Sequence, residues 1–122
     1  MKIRIYYEDT DMGGIVYHSN YITYCERARS ELFFQKGLMP HDDAMSEFFV
    51  VRRVECDFLK SAKFADVIEV KTSVVEKRNT SMTLQQDIVR DEELLFSAKV
   101  VVVFVKNGKP SRIPESYLEI LK

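Results

Sequence analysis

The chain has 122 residues, 46% hydrophobic and 30% charged, with a formal net charge of -1. That length suits one domain, residues 1–122, built on one core, and the near-zero charge excludes the global basic field that a nucleic-acid partner requires. The longest purely apolar run, Val100 to Val105, falls far short of the ~20 residues of a membrane helix, and the two histidines, His18 and His41, lack metal-ligand spacing, so the reading is a soluble, cytoplasmic protein without a metal.

Residues 2–7 alternate, with Ile3, Ile5 and Tyr7 on one side, which predicts a strand. Residues 8–18 read as a loop: Asp9 and Asp11 suit turns closed by carboxylate-to-backbone bonds, and Gly13-Gly14 permits positive φ. A helix follows, capped by Ser19 or Asn20. Its buried stripe is Tyr21, Cys25, Ala28, Leu32 and Phe33, and Gly37 is its stop. Residues 38–46 form a polar loop that leaves His41 exposed.

Four alternating runs come next. One face carries Phe48, Val50, Val54, Cys56 and Phe58 in the first, with Arg52 as an exception. Ile68, Val70, Thr72 and Val74 share a face in the second, and Met82, Leu84 and Ile88, with Gln86 between, in the third. Leu94, Phe96, Ala98, Val100, Val102 and Phe104 do so in the fourth. Short breaks between such runs predict an antiparallel meander, and Pro114 to Leu121 a short terminal helix. Cys25 and Cys56 read as small buried hydrophobes rather than a disulfide or a nucleophile. The fold class is α+β: one long helix against a five-stranded antiparallel sheet. Valines on the opposite sheet face (Val67, Val75, Val89, Val101, Val103 and Val105) suggest cover by another subunit.

The stretch Asp9 to Tyr21 concentrates the chemistry. A carboxylate loop runs directly into a helix N-terminus, whose free N–H groups and partial positive charge suit an oxyanion. A base or nucleophile and an oxyanion site are the minimum equipment for acyl transfer.

The run Asp9-Thr10-Asp11-Met12-Gly13-Gly14-Ile15-Val16-Tyr17-His18-Ser19-Asn20-Tyr21, followed by Glu26-Arg27-Ala28-Arg29, resembles the signature of hotdog-fold thioesterases of the 4-hydroxybenzoyl-CoA thioesterase type. Within that group it is most similar to the bacterial YbgC-like acyl-CoA thioesterases associated with the Tol–Pal envelope system. The resemblance spans essentially the whole chain. It implies a helix wrapped by the sheet, protomers paired into one continuous sheet as a homodimer or a dimer-of-dimers homotetramer, and active sites between protomers. It places the catalytic carboxylate on Asp11, the branch's histidine on His18 and the polarising backbone N–H near His18. The basic residues for CoA phosphates fall loosely on Lys77, Arg78 and the Asn79-Thr80-Ser81 turn.

The implied reaction is hydrolysis of an acyl-CoA, or of an acyl group on acyl carrier protein, with no cofactor beyond the coenzyme A of the substrate. Tyr17 and Tyr21 are packing residues that can line the acyl channel. Asp9 reads as structural, and Glu26 and Glu31 as a solvated or ion-paired helix face. Two other functions compete: a hotdog dehydratase or hydratase, which would release no thiol, and a non-catalytic acyl-binding module of an envelope complex, which would tolerate loss of Asp11.

Overall fold

The computed structural model describes residues 1–120. In chain order it contains strand β1 (Lys2–Arg4), a 3-10 turn (Tyr7–Asp9), helix α1 (His18–Phe34), strands β2 (Glu47–Phe58), β3 (Val67–Lys77), β4 (Ser81–Arg90), β5 (Glu93–Lys106) and β6 (Lys109–Pro110), and helix α2 (Glu115–Ile120). The strands form one antiparallel sheet in the order β1-β3-β4-β5-β2, with the two-residue β6 added to β5. The sheet curls around α1. Tyr21, Tyr24, Cys25, Ala28 and Phe33 of the helix share one core cluster with Ile68, Met82, Leu84, Ile88, Phe96 and Phe104 of the sheet. Among the described residues no helix is long and apolar enough to cross a membrane.

The predicted helix, the N-terminal strand and the four long strand runs are present, and the differences have local causes. β1 ends at Arg4 because the chain turns into the 3-10 segment; Ile5 is fully buried, but Tyr7 is exposed and stacks on Phe64 at 4.1 Å. α1 begins one or two residues before the expected cap. Its N-cap is Tyr17, which makes no side-chain capping bond. Gly37 ends the helical segment at φ +70, a left-handed conformation that glycine adopts at least cost. Of the expected terminal helix, Glu115–Ile120 is helical and Leu121 lies outside the described residues.

β-bulges explain where alternation misassigns a face. In β2 the pairing steps from Val51↔Val102 to Arg53↔Val101, so Arg52 is the extra residue and parity flips there. Val54, Cys56 and Phe58 face the core strand β5 as expected, but before the bulge Phe49 and Val51 do so, not Phe48 and Val50. In β5 the pairing steps from Ile88↔Phe96 to Val89↔Leu94. Leu95 is therefore the extra residue; it is fully buried while Leu94 is exposed, the reverse of the expectation for Leu94.

The Leu95 bulge also anchors the chain after β2. Its carbonyl accepts the N–H groups of Leu59 and Lys60 at 2.8 and 3.0 Å. Arg90 holds the same segment: its guanidinium donates to Asp66 Oδ2 (2.7 Å), Glu93 Oε1 (2.6 Å) and the Ser61 carbonyl (3.2 Å), while Lys60 Nζ pairs with Glu93 at 2.6 Å. Burial alone would raise the Asp66 pKa, but the Lys63 N–H and Arg90 outweigh it and hold the carboxyl below its ordinary range. Bonds from Lys60 and Arg90 likewise hold Glu93 down. Carboxyls with depressed folded pKa values contribute stability that is present above the unfolded carboxylate range, about pH 4, and lost as pH falls through the folded values. Arg90→Gln should therefore be less stable than the native protein at neutral pH, with the gap closing on acidification. Denaturation midpoints measured across pH check this; a pH-independent gap would refute it.

Candidate active site

The loop after the 3-10 turn is folded around its two aspartates, which have different tasks. Asp9 is a structural hub. Its Oδ2 accepts the Tyr6 N–H at 2.9 Å, and its Oδ1 accepts the Tyr24 hydroxyl at 2.7 Å and Asn20 Nδ2 at 3.5 Å. Its carbonyl accepts the Tyr17 N–H at 3.0 Å. Burial, and then the bond to Asp9, push the Tyr24 phenol well above its usual range, so it remains a proton donor to the carboxylate. Sequence reasoning assigned Asp9 a structural role but missed Tyr24; the available signal was its i, i+4 spacing from Asn20, which brings both side chains to Asp9.

Asp11 is exposed, and its Oδ1 accepts only the Gly13 N–H, at 2.8 Å. Its Oδ2 makes no hydrogen bond among the described residues. The loop closes tightly behind it, with Asp11 N–H to the Ile15 carbonyl (2.9 Å) and Gly14 N–H to the Asp11 carbonyl (3.0 Å). Gly14 needs its freedom, at φ +78, and Gly13 is needed for space: a Cβ there would meet Asp11 Oδ1 at 3.2 Å. Gly13→Ala should leave the melting temperature nearly unchanged but turn the Asp11 carboxylate, reducing turnover by about tenfold, since small displacements of a reacting group are costly. Equal turnover in the variant would show that this carboxylate's position is not critical.

His18 is the first residue of α1, and the uncapped helix start leaves the N–H groups of His18 and Ser19 without a side-chain acceptor. Its exposed ring lies 4.5 Å from the Tyr17 ring and 6.2 Å from that of Phe58. Asp11, His18 and Tyr21 line one cavity of about 270 Å3, closed by Phe58, Lys60 and Ser61. The Tyr21 ring forms a wall, stacked on Phe96 at 5.3 Å, and its hydroxyl accepts the Ala62 N–H at 3.0 Å. The 59–62 segment is thereby tied to the helix, and Val16 N–H to the Ala62 carbonyl (2.9 Å) ties it to the loop. Lys60 and Ser61 enter the site through this stitching, which no local pattern in the sequence reveals.

The other predicted site residues lie apart. Tyr17 is half exposed and does not line the cavity. Lys77, Arg78 and Ser81 sit at the β3–β4 turn, where Arg78 pairs with Glu76 and Ser81 is buried. Ser81 is seven residues along β4 from Ile88, whose partner Phe96 backs the cavity; at about 3.3 Å per residue that is ~23 Å. Within one protomer the turn and the Asp11 cavity are at opposite ends of the sheet.

His41, expected to be exposed, is half-buried: its Nδ1 lies 2.8 Å from the Asp42 carbonyl. Cys25 and Cys56 are free, and burial pushes the Cys25 thiol up to about 11, which makes it a poor nucleophile. Among the described residues no group of three or more His, Cys, Asp or Glu side chains could hold a metal ion.

The cavity thus offers a carboxylate, an imidazole and free helix N–H groups around a partly apolar recess, a set suited to acyl transfer. Known proteins with related sequences and folds agree with that chemistry. The family model of the thioesterase superfamily matches residues 13–97. The acyl-CoA thioesterase YbgC of Helicobacter pylori is 36% identical, over 99% of this chain and 98% of its own. The acyl-CoA thioester hydrolase YbgC of Escherichia coli is 39% identical, over 98% of this chain and 92% of its own. A crystal structure of an Aquifex aeolicus protein superimposes with a TM-score of 0.92 at 32% identity, covering 100% of this chain and 98% of that one.

Proposed function

The chain belongs to the thioesterase superfamily, and from that premise we propose that it hydrolyses acyl-CoA thioesters to a free acid and CoA, with Asp11 as nucleophile or general base and the first turn of α1 as the oxyanion site. The observation that carries this reading is the shared cavity, in which Asp11, with one oxygen unengaged, stands beside an uncapped helix start. The leaving thiol of a thioester has a pKa of about 8.5, taking cysteine as its analogue, so the thiolate departs with little acid assistance. The protein must supply the attack and hold the developing negative charge. Asp11 does the first, either by adding to the carbonyl to form an acyl anhydride that water then cleaves, or by taking a proton from an attacking water. The His18 and Ser19 N–H groups do the second, one such donor being worth about 3 kcal/mol. The His18 ring orients water or meets the departing sulfur. Tyr21, its hydroxyl already committed to Ala62, acts through its ring as a wall of the acyl site.

A homodimer or tetramer follows from the same reading. β2 is a twelve-residue edge strand whose outer side, among the described residues, meets only the bridge from His41 to Phe48 at its start, and such an edge is a template for pairing with another chain. An assembly also answers the separation of the β3–β4 turn from Asp11: Lys77 and Arg78 of one protomer would serve a CoA held at the other's cavity. A solution mass equal to the single chain's 14.3 kDa would remove this part. Cytoplasmic residence fits the two free cysteines. Acyl carrier protein is the alternative handle for the acyl group.

The test is thiol release from short-chain, long-chain and aromatic acyl-CoAs, followed with a colorimetric thiol reagent. Turnover of at least one class is expected. A folded protein that releases thiol from none, yet hydrates or binds acyl thioesters, would be a lyase or a binding module instead.

A further inference from the structure

α1 and β2 enclose two cavities beyond the Asp11 site, of about 350 and 380 Å3. They share Glu26, Arg29 and Val51 as lining residues. The ring cluster of Tyr21, Phe58 and Phe96, with centroids 5.2 to 5.7 Å apart, is the packed wall between them and the Asp11 recess: Tyr21 and Phe58 line the recess, Phe96 lines the second cavity, and of the three Phe58 is exposed. From His18 the helix passes Ile22 and Cys25 and reaches Arg29, eleven residues or about 16 Å along its axis.

Arg29 is out of character in this corridor. It is only partly accessible, among Phe33, Val51 and Val54. Its one hydrogen bond among the described residues runs from Nη1 to Gln86 Oε1 at 2.8 Å. Gln86 is fully buried and cannot swing away, because its Nε2 donates to the Cys25 carbonyl and to Thr72 Oγ1, both at 3.0 Å. No carboxylate lies within salt-bridge distance of Arg29 among the described residues. Glu26, the nearest acid on the helix, is exposed, and its Oε1 accepts the Ser30 hydroxyl at 3.0 Å. A guanidinium is thus fixed in orientation and partly desolvated, with Glu26 supporting its charge only from a distance and its remaining N–H groups without a hydrogen-bond partner among the described residues. A cation in that setting favours an anion that can take two parallel hydrogen bonds.

We propose that Arg29 is a specificity-determining residue that receives the far end of the acyl group, and that preferred substrates carry a carboxylate there, as in monothioesters of dicarboxylic acids. This rests on the hydrolase reading of the Asp11 site. The acyl chain leaves the thioester over the exposed Phe58 ring, follows the half-open cleft between α1 and β2, and meets the guanidinium with its terminal carboxylate beside Gln86.

The experiment compares acyl-CoAs of equal chain length ending in a methyl or a carboxylate, with kcat/KM read from thiol release. At the chain length that reaches Arg29, the native protein is expected to favour the carboxylate by about 100-fold, the value of a hydrogen bond to a charged group. Arg29→Met should bring that ratio to about one or below, and Arg29→Lys, which keeps the charge without the planar fork, to an intermediate value. If Arg29→Met does not fold, the native ratio and the lysine variant decide. Equal use of the pair, a preference for methyl at every length, or a preference unchanged by the lysine variant overturns the proposal while leaving the hydrolase reading intact. If no acyl-CoA releases thiol, the hydrolase reading fails separately. Calorimetric binding of the same pair then decides for Arg29, equal affinity overturning the assignment.

Discussion

Asp11→Asn is expected to fold as the native protein does and to release thiol about a thousandfold more slowly, within the range that loss of a catalytic acid–base group produces. The substitution is nearly isosteric. Asparagine can present its side-chain carbonyl to the Gly13 N–H where Asp11 Oδ1 now accepts it at 2.8 Å, so the loop geometry survives. What disappears is the charge, and with it both the attack on a carbonyl and the abstraction of a proton from water. The loss should fall on kcat rather than KM, because in the proposed mechanism only the transition state feels the missing carboxylate. The remaining rate reports what the helix N–H groups and substrate positioning achieve alone. A single-turnover reaction in heavy-oxygen water and a hydroxylamine quench together separate the two roles: label in the Asp11 side chain, or an Asp11 hydroxamate after the quench, marks the anhydride route, and label confined to the product acid with no trapped Asp11 marks the base route. Native-like kcat in Asp11→Asn, with melting temperature unchanged, would remove Asp11 from the chemistry.

Asp9→Ala is expected to reduce stability by about 3 kcal/mol. The buried Tyr24 hydroxyl loses its acceptor, and the Tyr6 N–H loses a charged partner; each such loss is worth ~1–3 kcal/mol. For a chain of this size that is roughly a 10 °C fall in melting temperature. Turnover should fall as well, although Asp9 does not line the Asp11 cavity. Asp9 joins the strand end at Tyr6 to the helix at Tyr24, and Asp11 and His18 hang between those two points. A double-mutant cycle isolates the key contact: Tyr24→Phe removes the donor, so Asp9→Ala should cost less in that background than in the native one. Fully additive effects would mean that the 2.7 Å bond between them contributes little.

These two aspartates show how much a sequence can say about roles. Both sit in one loop two residues apart, and reading the run from Asp9 to Tyr21 as a carboxylate loop feeding a helix start suffices to place the candidate chemistry, because loop, glycines and helix are neighbours in the chain. The structural role of Asp9 was legible in outline for the same reason, since a turn's hydrogen bonds are local. Tyr24 was not, as its hydroxyl meets Asp9 only once the helix has a fixed rotation. The strand faces tell the same story. Simple alternation places Val54, Cys56, Phe58 and the β3 and β4 faces correctly, but fails at Phe48, Val50 and Leu94, where a bulge shifts parity by one residue. A bulge is a property of two strands in register and leaves little mark on either one.

The sequence by itself determined the order of elements, the amphipathic helix and the loop that carries Asp11 and His18, since each depends on periodicity or on turn chemistry within a few residues. Only the tertiary structure decided that Lys60 and Ser61 close the cavity, that Lys77 and Arg78 lie far from it in the same protomer, and that Arg29 is held by Gln86 fifty-seven residues away. Those relations arise from strand register, bulges and the seating of α1 on the sheet. They are set by packing between segments distant in the chain, and no local pattern encodes them.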